Sequence, residues 1–465
     1  MNLPPVHSGP NRRPAYDHPV HMPNGSANRH RESAVTGSAK ISAATAAAYA
    51  AGLLSAFFVG HALTDAGYRL SVGVPPLVGR FEPRVGLALI APVLFAAAVV
   101  YKWDALAGSR SWRTMLTAAF VGSGVWAVLL AASDGWAALN RPVTHRFDAW
   151  AFVPQMPEVL PFLSTFTRQI SEYPVHVQGH PPGLTLLLSA LDQIGLGDSR
   201  IVAGLYIAAG ASIIPAVLIA ARATFGEPRA RSAAPFLVLA PFALWVATSP
   251  DALFSAVAAW GVVLIVCARG GSRWLPFLGG AVFGCALMLT YGAAPLLAIP
   301  AAVWLFRQHI APLLWAGAGI LAVLAVPALF GFWWPEGLLA TRERYYAGLG
   351  GERPYFYFVW ANLATLAITI GPGAVRGLVR IASEIKNRTL VWALAPWPVL
   401  GALAGVLLAN LSGLSKGEVE RIWLLFSPWL VLAAGYLPQA SRRKLWLGAA
   451  AAGAVALQAL VRTPW

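Results

Sequence analysis

Charge is what this chain has least of. Only 11% of its 465 residues are Asp, Glu, Lys or Arg, 19 acids against 34 bases, where a soluble domain carries about 25%. So few charges cannot cover a water-exposed surface, which excludes a soluble globular protein of this length. Cysteine is also scarce. The two present, Cys267 and Cys285, fall in apolar stretches, so neither a disulfide framework nor a cysteine zinc site is indicated. The short alternating segments of a transmembrane barrel are missing. A basic patch on a folded polar face is missing too, so the formal charge of +15 does not point to nucleic acid. Gly317 and Gly319 lie in an apolar run without the strand and turn of a phosphate-binding loop.

What the chain has in abundance is hydrocarbon: 57% of residues are hydrophobic and the mean hydropathy is +0.62. These residues gather in windows long enough for helices across a core of about 30 Å, where each segment satisfies its own backbone. The expected fold is all-α, a polytopic transmembrane helix bundle. About thirteen spans fall at roughly 42–60, 85–101, 114–133, 201–221, 232–248, 252–268, 274–290, 293–306, 310–334, 355–375, 390–410, 422–437 and 445–461. Residues 184–195, carrying Asp192, are too few to cross and are expected to form a short re-entrant or surface helix. Residues 1–40, rich in Pro, Asn, Ser, Arg and His, read as a disordered basic tail rather than a signal peptide. Residues 41–113 then form an N-terminal hairpin and 114–465 the main module.

Charge asymmetry sets the expected orientation. With the N-terminus cytoplasmic, the C-terminus external and 184–195 not crossing, the inner segments hold 21 Lys and Arg against 5 acids, and the outer ones 13 against 14. This satisfies the positive-inside rule, which the alternative with 184–195 crossing does not. The Arg442-Arg443-Lys444 cluster and its counterparts at 222–231 and 376–388 then meet anionic head groups on the inner side. The expected outer segments are 65–84, 134–183, 249–251, 335–354 and 412–421.

The longest of these, Asp134 to Gly183, is a polar island between apolar stretches and holds Asp134, His145, Asp148, Glu158, Glu172, His176 and His180. Asp148 stands in Arg146-Phe147-Asp148-Ala149-Trp150. It reads either as a general base within reach of an acceptor hydroxyl or as an interfacial ion-pair partner of Arg146. Asp134 opens the island directly after a span and reads as a second candidate base or as a membrane-edge residue. His180-Pro181-Pro182-Gly183 is a stiff corner that fixes the imidazole in place, or a purely structural turn. His176 and His180 are four apart, but Gly179 and the prolines oppose a helix presenting both to one metal, so no cofactor is expected, with a divalent metal at this pair as the lesser alternative.

In order and spacing the chain resembles the GT-C superfamily of integral-membrane glycosyltransferases. The resemblance rests on an acidic residue in the first large external loop, about 32 residues before a Pro-Pro corner that leads into an apolar helix. It covers most of the chain after residue 114 and implies an external catalytic loop at 134–183. Asp148 matches the loop carboxylate that activates the acceptor, His180-Pro181-Pro182 the corner, and Ser249-Pro250-Asp251 a second external acid. Many relatives carry paired acids where Ala149 follows Asp148 here, which leaves Asp134 as the other candidate, and the spans before residue 114 are additional to the family pattern. Gly-His-Pro-Pro-Gly, Asp134-Gly135-Trp136 and the run from Gly417 to Trp423 look most like actinobacterial members, among them the methylthioxylose transferase acting on mycobacterial lipoarabinomannan.

The resemblance implies a polyprenyl-phosphate sugar donor, a cell-envelope glycan or glycolipid acceptor, a site on the external face of the cell membrane, and inversion at the anomeric carbon. An arginine can hold the donor phosphate bidentately. Arg421, beside Glu418 and Glu420, is the first candidate, and Arg344 belongs to a second surface with Arg342, Arg353 and several tyrosines. Each also reads as a local ion pair or interfacial anchor. The competing class is a transporter or flippase of lipid-linked sugars. It would place charges within the spans, whereas here nearly all lie in loops or at span edges.

Overall fold

The computed structural model describes residues 24–247, 249–269, 271–437 and 443–464. The chain divides into two compact units, residues 1–44 and 45–465. The expected tail lies outside the described residues up to residue 23. From Asn24 the chain runs in the helix Asn24–Asp65. The physical reason is visible in the sequence: Pro23 is the last proline before Pro75, so nothing beyond it interrupts the helical backbone.

The second unit is predominantly helical. Among the described residues of the whole chain, six helices are long and apolar enough to cross a membrane: Lys40–Asp65, Leu87–Gly108, Trp112–Ala132, Ser199–Phe225, Ala311–Leu329 and Tyr355–Lys386. Pro250–Val266, Trp274–Leu289, Tyr291–Phe306 and Trp397–Leu411 are shorter apolar helices. The chain is thus a helical membrane bundle. Within the segment expected to form the N-terminal hairpin, helix Ile90–Trp103 packs on both Trp112–Ala132 and Arg443–Leu460.

Ser199–Phe225 packs between Trp112–Ala132 and Pro250–Val266. Trp274–Leu289 lies against Pro250–Val266 on one side and Ala311–Leu329 on the other. The second contact depends on glycine. A Cβ on Gly280 would overlap the Ala316 carbonyl, and one on Gly319 would overlap that of Phe277, so each helix lets the other's backbone approach. Gly371, at φ 76° and ψ 162°, breaks Tyr355–Lys386 ahead of Pro372; this backbone region is essentially reserved for glycine.

Two expected spans are broken. Residues 232–248 become Glu227–Val238, with Pro235 inside, followed by a 3-10 turn at Pro241–Trp245. Residues 422–437 become Trp423–Leu425, Ser427–Val431 and Leu432–Tyr436. Trp423, Ser427, Trp429 and Leu430 are buried, so the freed backbone groups are packed in protein rather than turned to lipid.

Two short ribbons complete the unit. Strand β1, Gly73–Val74, pairs antiparallel with β2, Leu77–Val78, and β3, Arg80–Phe81, pairs antiparallel with β4, Val461–Arg462. The end of the chain therefore lies beside the segment that follows the first long helix. The other segments expected on the outer side are tied together as well. Arg353 donates to the carbonyls of Leu70 at 3.0 Å and Lys416 at 2.7 Å. Arg344 reaches Gln178, Arg421 reaches Asp251, and Arg84 is ion-paired with Asp134.

Candidate active site

The polar island folds into short helical turns with a hydrophobic core of their own. Phe152, Phe162, Phe166 and Tyr173 pack with Phe332 and with Phe254 of helix Pro250–Val266. Asp148 caps the turn Ala149–Phe152, its Oδ1 accepting from the Trp150 amide at 3.0 Å, as N-cap aspartates do. The Trp150 indole donates to the Gly197 carbonyl at 2.8 Å and pins this turn to the loop after Gly183–Gln193. That helix has 11 residues, about 16 Å long.

Asp148 is 1% exposed. Its Oδ2 lies 3.2 Å from Nδ1 of His176, and the His176 amide donates to the Phe147 carbonyl at 3.2 Å, so backbone and side chain together dock this histidine on the capped turn. The His176 side chain remains 24% exposed. With Nδ1 held by the carboxylate, its Nε2 edge points away from Asp148, the arrangement that fixes tautomer and orientation in acid-base imidazoles. Arg146 does not pair with Asp148; its guanidinium lies 4.7 Å from the Phe147 ring centre.

A second cluster lies across His180. Asp251 is in the first turn of Pro250–Val266, with Ser249 as cap: Ser249 Oγ accepts from the Asp251 amide at 3.1 Å and donates to Oδ2 at 2.6 Å. The Arg421 guanidinium donates to the same Oδ2 at 2.8 Å and to Glu418 at 3.1 Å. Arg353 closes on the other Glu418 oxygen at 3.2 Å. Gly417 and Glu418 both have positive φ, 81° and 61°, and these two left-handed residues turn the chain into the short helix Val419–Ile422 that carries Arg421. Burial raises the Glu418 carboxyl, but the Arg421 and Arg353 guanidiniums outweigh it and hold it below the usual range. Burial would lower Arg421, yet Asp251 and Glu418 hold it above its ordinary value.

His180 sits between the two clusters. Its ring packs 5.1 Å from that of Phe254, and its Nδ1 is buried without a hydrogen-bond partner. Loss of hydration drives its pKa down to about 4, against the pull of Asp251, so the imidazole is neutral at pH 7. Arg421, His176 and Asp148 also act on it electrostatically. Tyr206, from helix Ser199–Phe225, has a buried hydroxyl with no partner, within the field of Asp148 and Asp251.

Of the residues singled out in the sequence, Asp148, His180, Asp251 and Arg421 thus converge. Arg344 joins the rim: its Nε and one terminal nitrogen are each 3.2 Å from the Gln178 side-chain oxygen, and Thr341 donates to the Gln178 carbonyl at 3.1 Å. Asp134 is elsewhere, in an ion pair with Arg84, which also holds the carbonyls of Gln458 and Val461. Glu420 faces the β1–β2 hairpin, accepting from the Val78 amide at 3.0 Å, and its other oxygen is buried without a partner. Burial pushes its carboxyl up to about 7. His176 as the partner of Asp148, and Tyr206, are not legible in the sequence; a tyrosine in an apolar helix carries no signal of its own. Among the described residues no group of three or more His, Cys, Asp or Glu side chains is arranged to hold a metal.

No protein-family model, curated protein or solved structure matches the chain.

Proposed function

We propose that the protein is a membrane glycosyltransferase of GT-C type, transferring a sugar from a polyprenyl-phosphate donor to a cell-envelope glycan or glycolipid on the external face of the membrane. The observation that carries this reading is the convergence of Asp148, Asp251 and Arg421, from three distant segments, about His180, beside a second imidazole, His176, which is 24% exposed and backed by the buried Asp148 carboxylate.

The chemistry is a single displacement. The acceptor hydroxyl gives its proton to Nε2 of His176 while its oxygen bonds to the anomeric carbon. The bond from that carbon to the donor phosphate breaks, its electron pair leaves with the phosphate, and the anomeric centre inverts. Asp148 stabilises the imidazolium that forms and keeps Nε2 outward. Asp134, held by Arg84, has no part in this step. The two terminal nitrogens of Arg421 are engaged by carboxylates, so its task is to hold Asp251 and Glu418 in place. Arg344 bonds only a neutral amide oxygen among the described ion pairs and hydrogen bonds and is the cation that meets the departing phosphate.

The test is release of polyprenyl phosphate by the purified protein. Release that requires acceptor, and is lost in His176→Gln with the fold intact, is expected. Movement of intact lipid-linked sugar across vesicles without release would replace the transferase with a flippase.

A further inference from the structure

The β3–β4 ribbon lies apart from the site above and divides two cavities of opposite character. Its register sets Arg80 opposite Arg462 and Phe81 opposite Val461. Because neighbouring strand residues point to opposite faces, one face carries two guanidiniums and the other two apolar side chains. Each face fronts its own cavity. On the arginine side is a cavity of about 410 Å³, lined by Arg80 and Arg462 with the backbone around Gly73 and Gly79. On the apolar side is a groove of about 540 Å³ running between helices, lined by Phe81 and Val461 with Tyr49, Ile368, Trp446 and Leu457. Both volumes suit small-ligand sites, and no residue of the candidate active site lines either.

Like charges directly opposite each other destabilise a strand pair. Here one carboxylate, Glu82, serves both, at 3.4 Å from Arg80 and 2.8 Å from Arg462, leaving one positive charge in excess. Arg80 is 78% exposed and Arg462 37%, so donors remain open towards the first cavity. Below them the groove wall is cut back at Gly453, where an added Cβ would meet nothing within 4 Å.

We propose that this ribbon seats one molecule of a net-anionic membrane phospholipid, its phosphate against Arg80 and Arg462 and an acyl chain in the groove. A cationic cavity alone would suit a free anion and an apolar groove alone any lipid. The two-residue strands of the ribbon are the thin wall that both cavities share, and their excess positive charge selects an anionic head group over a zwitterionic one.

The test is native mass spectrometry of the full-length protein in detergent, titrated with phosphatidylglycerol, phosphatidylcholine or inorganic phosphate. Wild type is expected to hold one phosphatidylglycerol with about tenfold preference over phosphatidylcholine. Arg80→Ala with Arg462→Ala should abolish that preference, Gly453→Leu should weaken both lipids by filling the groove, and Glu82→Gln should tighten phosphatidylglycerol. The last gain cannot come from misfolding, and thermal unfolding without added lipid controls for the other variants. Equal binding of the two lipids by wild type, an unchanged preference in the double arginine variant, or displacement of the lipid by inorganic phosphate would each overturn the proposal.

Discussion

Two buried polar clusters meet at His180, and they differ in how completely they are satisfied. On one side Arg353, Glu418, Arg421 and Asp251 form a chain of two cations and two anions, with three charge-assisted contacts between 2.8 and 3.2 Å. On the other, each oxygen of Asp148 has one partner, the Trp150 amide and His176, while the imidazole keeps an open edge. A closed cluster clamps loops and offers nothing to a substrate. An open one positions a titratable group beside it. Under the proposed function, this difference gives Arg421 an architectural part and His176 the chemical one.

The comparison can be broken most forcefully from the closed side. Arg421→Met leaves Asp251 buried without its cation and Glu418 with Arg353 alone, and the loss should be about 3–5 kcal/mol, read as a large fall in unfolding temperature in detergent. A variant as stable as wild type would mean that the clamp is not structural. On the open side, His176→Gln should leave the unfolding temperature within a few degrees of wild type but cut transfer by about 10²- to 10⁴-fold. Asp148→Asn should lower transfer as well and change its pH profile, because the imidazolium loses its counter-charge.

A smaller effect separates two other groups, buried Glu420 and partly buried His180, by pH. The carboxyl of Glu420 is raised from 4.5 to about 7, so the fold binds an extra proton between those values and loses that stability as pH rises through 7. The imidazole of His180 is lowered from 6.5 to about 4, so its contribution is present above 6.5 and is lost as pH falls towards 4. Glu420→Gln should flatten the stability curve on its neutral limb and His180→Gln on its acid limb, each followed by thermal unfolding across pH 4–8. The smallest effect is expected from Asp134→Asn. Its pair with Arg84 is only partly buried, so the loss should be about 1 kcal/mol or less, with transfer unchanged.

The sequence and the structure agree where hydropathy decides and part where pairing does. Apolar windows were sufficient to expect a helical membrane bundle, since the bilayer leaves few alternatives. They could not reveal that 232–248 and 422–437 are broken, because a buried irregular segment and a straight lipid-facing helix have the same composition. Of the site, the order of motifs pointed to Asp148, His180, Asp251 and Arg421. It could not show that Arg421 meets Asp251 across 170 positions, which occupies the guanidinium expected to bind phosphate, or that Asp134 is occupied by Arg84. Nor could it show that His176, 28 residues from Asp148, presents the open edge of that pair. These pairings depend on how the loops close over the helix ends, and local composition carries no record of that.

The most direct test is a comparison of envelope glycans between a strain lacking this protein and its parent, with the deletion complemented by wild type, His176→Gln or Asp134→Asn. The expected result is one sugar residue missing in the deletion, restored by wild type and by Asp134→Asn and not by a stably expressed His176→Gln. Unchanged glycans in the deletion, or full restoration by His176→Gln, would contradict the assignment of sugar transfer to the Asp148–His176 pair.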